Sequence, residues 1–384
     1  MSLTVSAPGK VILFGDHSVV YDRRAVAASI SLRTTLTFTS NMDEQITLDF
    51  PDIGLHLVLD RTELDAITRS SKSSGRATSL PLPSLDLELL DAIEITLSER
   101  GLEGVTKAAA AAFLYLFFKL QPTPDKAVFG TYHIMSALPI GAGLGSSASV
   151  SVIIAATLLQ LIGAIELPST SKNAQADEKH LDLINKWAYV GEQCIHGNPS
   201  GVDNTVATYG GAVAFQKSLP IELIHAPALP LLLTNTGVPR STKAQVAGVA
   251  DLRASFPPVI ENILDAMHQI AIEAQGLLPD ARENKDRIGA LMELNQGLLR
   301  TLGVSHPAIE EVVRDNHTKG WTKLIGAGGG GCVITLLKDE AVSLVSPDSS
   351  SSKPEQYLVA LGGSGVGFHT ETGVQHYTSM NTDS

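Results

Sequence analysis

"PIGAGLGSSASVSVIIAATLLQLIG", residues 139–163, joins a run of glycines and a serine pair to a long uncharged stretch. From Ala148 onward the stretch is mostly apolar and reads as a buried helix. The half before it has glycine at 141, 143 and 145. Without a Cβ, such a backbone turns sharply and lets its N–H groups approach an anion. A helix directly after the loop adds its own unpaired N–H groups and the positive end of its dipole. Ser146 and Ser147 fall in the first turn, where a hydroxyl caps an N–H or ligates a metal. The junction has the parts of an anion seat; the competing reading is a serine-capped tight turn. It is not a Walker A loop, because no lysine follows the glycines, and Gly-x-Gly-x-Gly is not the dinucleotide spacing.

Upstream, residues 3–14 and 25–39 read as strands around the turn "YDRR", and "EQITLDF" and "LHLVLD" add two more. Helices are predicted at about 85–100, 106–120 and 178–196, with a strand at 128–136. The Ser-rich stretch 68–84 and residues 168–177 read as surface loops. Downstream, "LPLLLTN" (229–235) is a strand, and helices follow at about 241–255, 258–276, 280–302 and 306–318. "KLIGAGGGGCVITLL" (323–337) is strand-like on both sides of its glycines, 346–356 is a loop, and a last strand falls at about 364–370. The region 211–230 interrupts the pattern, so the chain divides into domains 1–225 and 226–384.

Composition narrows the function. A chain of 384 residues calls for about two cores. A net charge of −12 argues against a nucleic-acid partner, which needs clustered Lys and Arg. Cys194 and Cys332 form neither a disulfide framework nor a metal-ligand spacing, and read as reduced thiols of a cytoplasmic enzyme. The opening residues lack a secretory pattern. The longest apolar runs, 108–118 and 148–163, fall short of the ~20 residues of a membrane span, so no membrane is expected.

Three further stretches carry chemistry. In "SAPGKVILFGDHSVVY" (6–21), Lys10 matters only if its strand faces the anion seat. Asp16 and His17, in the turn beyond, either recognise a hydroxylated substrate or satisfy turn backbone. "GAGGGGC" (326–332) contains Gly-x-Gly-x-x-Gly, but it joins two strands instead of opening a helix, so the nicotinamide context is missing. In "GEQCIHGNPSGVDNTVATYGG" (191–211), an Asn-Pro-Ser-Gly turn lies between Glu192 and Asp203 and could fold the two carboxylates together. Beside a phosphate site, one carboxylate holds Mg²⁺ and the other takes a proton from an attacking hydroxyl. Asp203 alone reads equally as a helix cap, and His196 reads as structural.

The ordered set "SAPGKVILFGDHSVVY", "PIGAGLGSSAS" and "GAGGGGC" resembles the three motifs of the galactokinase, homoserine kinase, mevalonate kinase and phosphomevalonate kinase superfamily. "LINKWAYVGEQCIHGNPSGVDNTVATYGGA" and "LLLTNTGVPRSTKAQVAGV" are similar to the eukaryotic mevalonate kinases within it. The resemblance covers most of the chain and is weakest at 55–105 and after about 340. It implies an α+β protein of two-layer domains: an N-terminal one like ribosomal protein S5 domain 2 and a C-terminal ferredoxin-like one, with the active site in the cleft between them.

The same resemblance implies residue roles. The backbone of Gly141, Ala142, Gly143, Leu144, Gly145, Ser146 and Ser147 would wrap ATP phosphates, with Asp52 and Ser136 in the nucleotide pocket. Ser147 and Glu192 would ligate Mg²⁺, Asp203 would be the base on the mevalonate C5 hydroxyl, and Lys10 would stabilise the transferring phosphoryl. Asp16, His17 and Thr242 would lie on the substrate side. Two residues depart from the pattern: Asp16 stands where Glu is usual, and Asp52 where Asn is frequent. A homodimer and inhibition by downstream prenyl diphosphates are also implied. The alternatives are a sister kinase acting on phosphomevalonate or a sugar, and an ATP-binding sensor without catalysis.

Overall fold

Two long antiparallel strands, β1 (Ser2–Phe14) and β2 (Ala25–Ser40), organise the molecule. The computed structural model describes residues 2–71, 85–120, 128–139, 141–167, 174–339, 354–370 and 373–376. After β2 come β3 (Gln45–Phe50), β4 (Leu55–Asp60), α1 (Arg61–Ser70), α2 (Leu87–Glu99), α3 (Gly104–Leu120) and β5 (Gly130–Ser136). Then follow α4 (Ser146–Leu161), α5 (Ala174–His196), α6 (Val202–Tyr209), β6 (Ala212–Phe215) and β7 (Glu222–Ile224). The second half holds β8 (Leu229–Asn235), α7 (Thr242–Ser255), α8 (Pro257–Leu277), α9 (Lys285–Thr301) and α10 (Pro307–Asn316). The chain ends with β9 (Gly320–Leu324), β10 (Cys332–Leu337), β11 (Glu355–Leu361), β12 (Gly367–Thr370) and β13 (Gly373–His376).

β2 is long because three partners share one of its edges. Residues 25–28 pair with β6, Ile30 with Leu361 of β11, and 34–40 with β5, while β1 occupies the other edge. From β11 the sheet runs on through β8 and β10 to β9, and from β1 it runs outward to β12 and β13. Among the described residues every strand pair is antiparallel except β3 with β5.

Helices cover this sheet over separate apolar clusters. One joins α2 to α5 with β1 to β5, and another joins β1, β2, β8, β10 and β11 with α8 and α9. α4 is buried from Ala148 to Leu159 and α3 from Ala110 onward. Apolar residues on every face demand this, since such a helix has no side to offer water. The predicted mixed two-layer architecture is therefore present.

Several local expectations need correction. Residues 68–70, predicted as loop, form the last turn of α1, a helix held at its start by a capping box between Asp60 and Glu63. The rest of that stretch, 72–84, lies outside the described residues. The interruption at 211–230 contains β6 and β7, which are too short to show a period. The strand predicted at 364–370 starts at Gly367, and the sequence reading missed both β11 and β13.

Candidate active site

β1 carries Lys10 just past a break in its register between Pro8 and Gly9. Glycine at position 9 lets the 141–145 loop come against the strand: Leu144 O accepts from the Lys10 N–H at 2.8 Å, where a Cβ on Gly9 would sit 3.0 Å from that oxygen. Ser149 Oγ donates to Pro8 O at 2.7 Å and fixes α4 to the same point. α1, α2 and α7 begin with a side chain accepting a first-turn N–H, but α4 begins at Gly145 (φ 71°) with no side-chain cap. No side chain therefore competes with an anion for that helix start.

The turn through Pro199 and Ser200 brings α6 back toward the same place. Asp203, at its second position, puts Oδ1 3.1 Å from Lys10 Nζ. The ammonium is nearly buried and the carboxylate about one-third exposed. On the other side, α5 presents Glu192, 3% exposed. Its two oxygens accept from Ser147 Oγ and Ser151 Oγ, each at 3.3 Å, one helical turn apart on α4. Burial, reinforced by the nearby Asp203 charge, pushes the Glu192 carboxyl up to about 7; the two serine hydroxyls and Lys10 oppose this. Lys10, Ser147, Glu192 and Asp203 all line one cleft of about 670 Å³.

The substrate-side residues have different fates. His17 and Thr242 line the cleft, Thr242 at the exposed first position of α7. His17 Nε2 bonds Ala327 O at 2.8 Å. Asp16 borders the cleft but is 1% exposed, and both its oxygens are engaged, by Lys323 Nζ at 2.7 Å and the Gly326 N–H at 2.6 Å. Asp52 and Ser136 do not line this cleft; Asp52 Oδ2 accepts from the Ser136 N–H at 2.6 Å.

Two cleft residues escaped the sequence reading. His196, read as structural, has Nε2 3.1 Å from Ser147 Oγ. The signal was present, since Glu192 and His196 are four apart on one helix and share a face. Arg240 donates to Ala142 O and to Ile325 O, both at 2.9 Å, and so ties the first glycine loop to the segment entering the second. Nothing in its local sequence marks that role.

The profile described as "GHMP kinases N terminal domain" matches residues 105–211, and "GHMP kinases C terminal" matches 277–345. The chain is 41% identical to a mevalonate kinase of Candida albicans, covering 96% of this chain and 90% of that protein. It is 36% identical to the mevalonate kinase of Homo sapiens, covering 99% and 98%. Among solved structures, the L. major mevalonate kinase in complex with R-mevalonate matches with a TM-score of 0.61 at 22% identity, over 94% of this chain and 96% of that one.

Proposed function

This chain belongs to the mevalonate kinase family, and on that premise we propose how its cleft performs the reaction. It is an ATP-dependent kinase that transfers the γ-phosphate of ATP to the C5 hydroxyl of mevalonate, giving 5-phosphomevalonate and ADP. ATP phosphates lie along the 141–147 loop against the uncapped start of α4, and mevalonate lies toward His17 and Thr242. Asp203 accepts the hydroxyl proton while the C5 oxygen bonds the γ-phosphorus. The bond to the β,γ-bridging oxygen breaks, and ADP leaves with its electron pair. Lys10 sets a positive charge between the base and the transferring phosphoryl. No covalent nucleophile is required, because phosphoryl transfer through a loose transition state is mainly a matter of position and charge.

The donor set at Ser147 and Glu192 fits Mg²⁺: both residues line the cleft and offer hard oxygen donors, the hydroxyl and the carboxylate 3.3 Å apart. When bound, Mg²⁺ neutralises charge on the ATP phosphates. Asp52 and Ser136 carry a nucleotide role on the family resemblance alone. A boundary near residue 225 is supported by β8 opening a new strand set, β8, β10 and β9, covered by α7 to α10. The reading extends to a cytoplasmic homodimer, checked by sedimentation, and to prenyl diphosphates competing with ATP, checked by inhibition kinetics. Among the described residues no helix is long and apolar enough to cross a membrane.

The observation that carries the mechanism is the Lys10–Asp203 pair at the mouth of the α4 seat. ADP release in the presence of Mg²⁺ and ATP tests the substrate. Mevalonate is expected to turn over at least ~10²-fold faster than phosphomevalonate or galactose. Equal turnover of phosphomevalonate overturns the assignment.

A further inference from the structure

Asp16 and Lys323 form an ion pair at 2.7 Å in which neither side chain has any exposed area. The pair joins the turn after β1 to the end of β9, 307 residues away. Its atoms are used up locally: Asp16 Oδ1 accepts from the Gly326 N–H at 2.6 Å, and Lys323 Nζ also donates to Leu324 O at 2.6 Å. The next residue, His17, is held at φ 62°, ψ −46°, a conformation a side chain rarely adopts, with its ring against Ala327 O. The loop it meets is also tied down, with the Gly329 N–H on Val304 O and the Gly331 N–H on Val238 O. A fully buried charge is tolerated only when paired and hydrogen-bonded, so each partner depends on the other.

We propose that Asp16 is a positioning residue: with Lys323 it pins the His17 turn to the 326–331 loop, and it acts on mevalonate only through His17, without touching the substrate. The proposal rests on the reading that the His17 side of the cleft receives mevalonate. It gives Asp16 a different task from the direct substrate contact implied by the family resemblance. It also makes the second glycine loop an anchored wall of the cleft.

A double-mutant cycle on the full chain decides between a pin and a contact. Asp16→Asn, Lys323→Met, the double variant and His17→Ala are compared for KM of mevalonate, KM of ATP, kcat and Tm. Each single change at the pin is expected to raise KM for mevalonate by ~10-fold or more, with KM for ATP within about threefold. The double variant, which removes the pin without leaving an unpaired charge, is expected to raise KM for mevalonate by about as much as either single change, so that the two losses do not multiply. Losses that multiply in the double variant overturn the proposal, as do a wild-type KM in the double variant and an Asp16→Asn that raises KM while Lys323→Met leaves it unchanged. Where the single variants do not fold, the double variant alone decides: a KM for mevalonate raised ~10-fold with KM for ATP retained supports the pin, and a near-native KM overturns it. His17→Ala separates the two layers of argument. If it leaves KM for mevalonate unchanged, the substrate-side reading fails and takes the pin with it. If it raises KM while the cycle is additive, only the pin fails.

Discussion

Asp203 and Glu192 are two acids in one cleft with different surroundings, and their neighbours assign the work. Asp203 is partly exposed beside an ammonium; Glu192 is buried between two serine hydroxyls. Asp203→Asn keeps the size and removes the proton acceptor, so kcat is expected to fall ~10²–10⁴-fold with ATP affinity retained. Steady-state kinetics beside a nucleotide titration check this, and an unaltered kcat removes Asp203 from the mechanism. Glu192 makes a prediction about pH. In the folded, metal-free protein its carboxyl titrates at about 7, against ~4.3 in an unfolded chain. The folded state therefore holds a proton that the unfolded state has released. The stability from this group is complete below ~4.3 and is lost as pH rises through about 7. Glu192→Gln stays neutral throughout, so its Tm advantage over the wild type in EDTA should widen from pH 5 to pH 8 in scanning fluorimetry. A gap that does not change with pH would mean that burial is not raising this carboxyl.

Among the elements, α4 was legible because its composition leaves no alternative: an uncharged stretch with no polar face must be buried, and glycines must precede it if a ligand is to reach its end. α1 and β11 were not read, for physical reasons. α1 has its capping box in plain view at Asp60 and Glu63, but the serines that follow drew the reading toward loop. β11, "EQYLVAL", buries only Val359 and Leu361, too few alternations to register as a strand, and borders a Ser-rich stretch. The loop before α4 offers a controlled test. Gly145 and Gly163 both sit at φ 71°, but a Cβ at 145 would lie 2.9 Å from Lys10 Cγ, whereas at 163 it meets nothing within 4 Å. Alanine at either site strains the backbone and should cost about 1 kcal/mol or more of stability by urea titration. Only Gly145→Ala displaces Lys10, so only that variant should lose kcat. Equal kcat in the two variants would show that the closeness of Lys10 to the loop does not matter to catalysis.

At the scale of the whole molecule, the site is assembled by a sheet that brings the two ends of the chain together, and single-sequence reasoning sees this least well. Lys10, Glu192 and Asp203 were named from their motifs, since each carries local chemistry. Arg240 was not, because its partners are backbone carbonyls at 142 and 325, and no spacing encodes them. Its guanidinium spans between the two halves of the cleft, donating from two nitrogens at once, a geometry the single ammonium of lysine does not reproduce. If the bridge holds the glycine loop in register with the far wall, Arg240→Met and Arg240→Lys should both lower kcat/KM for ATP by ~10-fold or more, because small misplacements at a phosphoryl-transfer site are expensive in rate. Arg240→Met should also lower Tm, because it takes the donor away from carbonyls of two buried residues, Ala142 and Ile325. Kinetics for the pair beside their Tm values discriminate the causes. A lysine variant equal to wild type would mean that only the positive charge matters; a methionine variant equal to wild type would mean that the two glycine loops keep their register without the bridge.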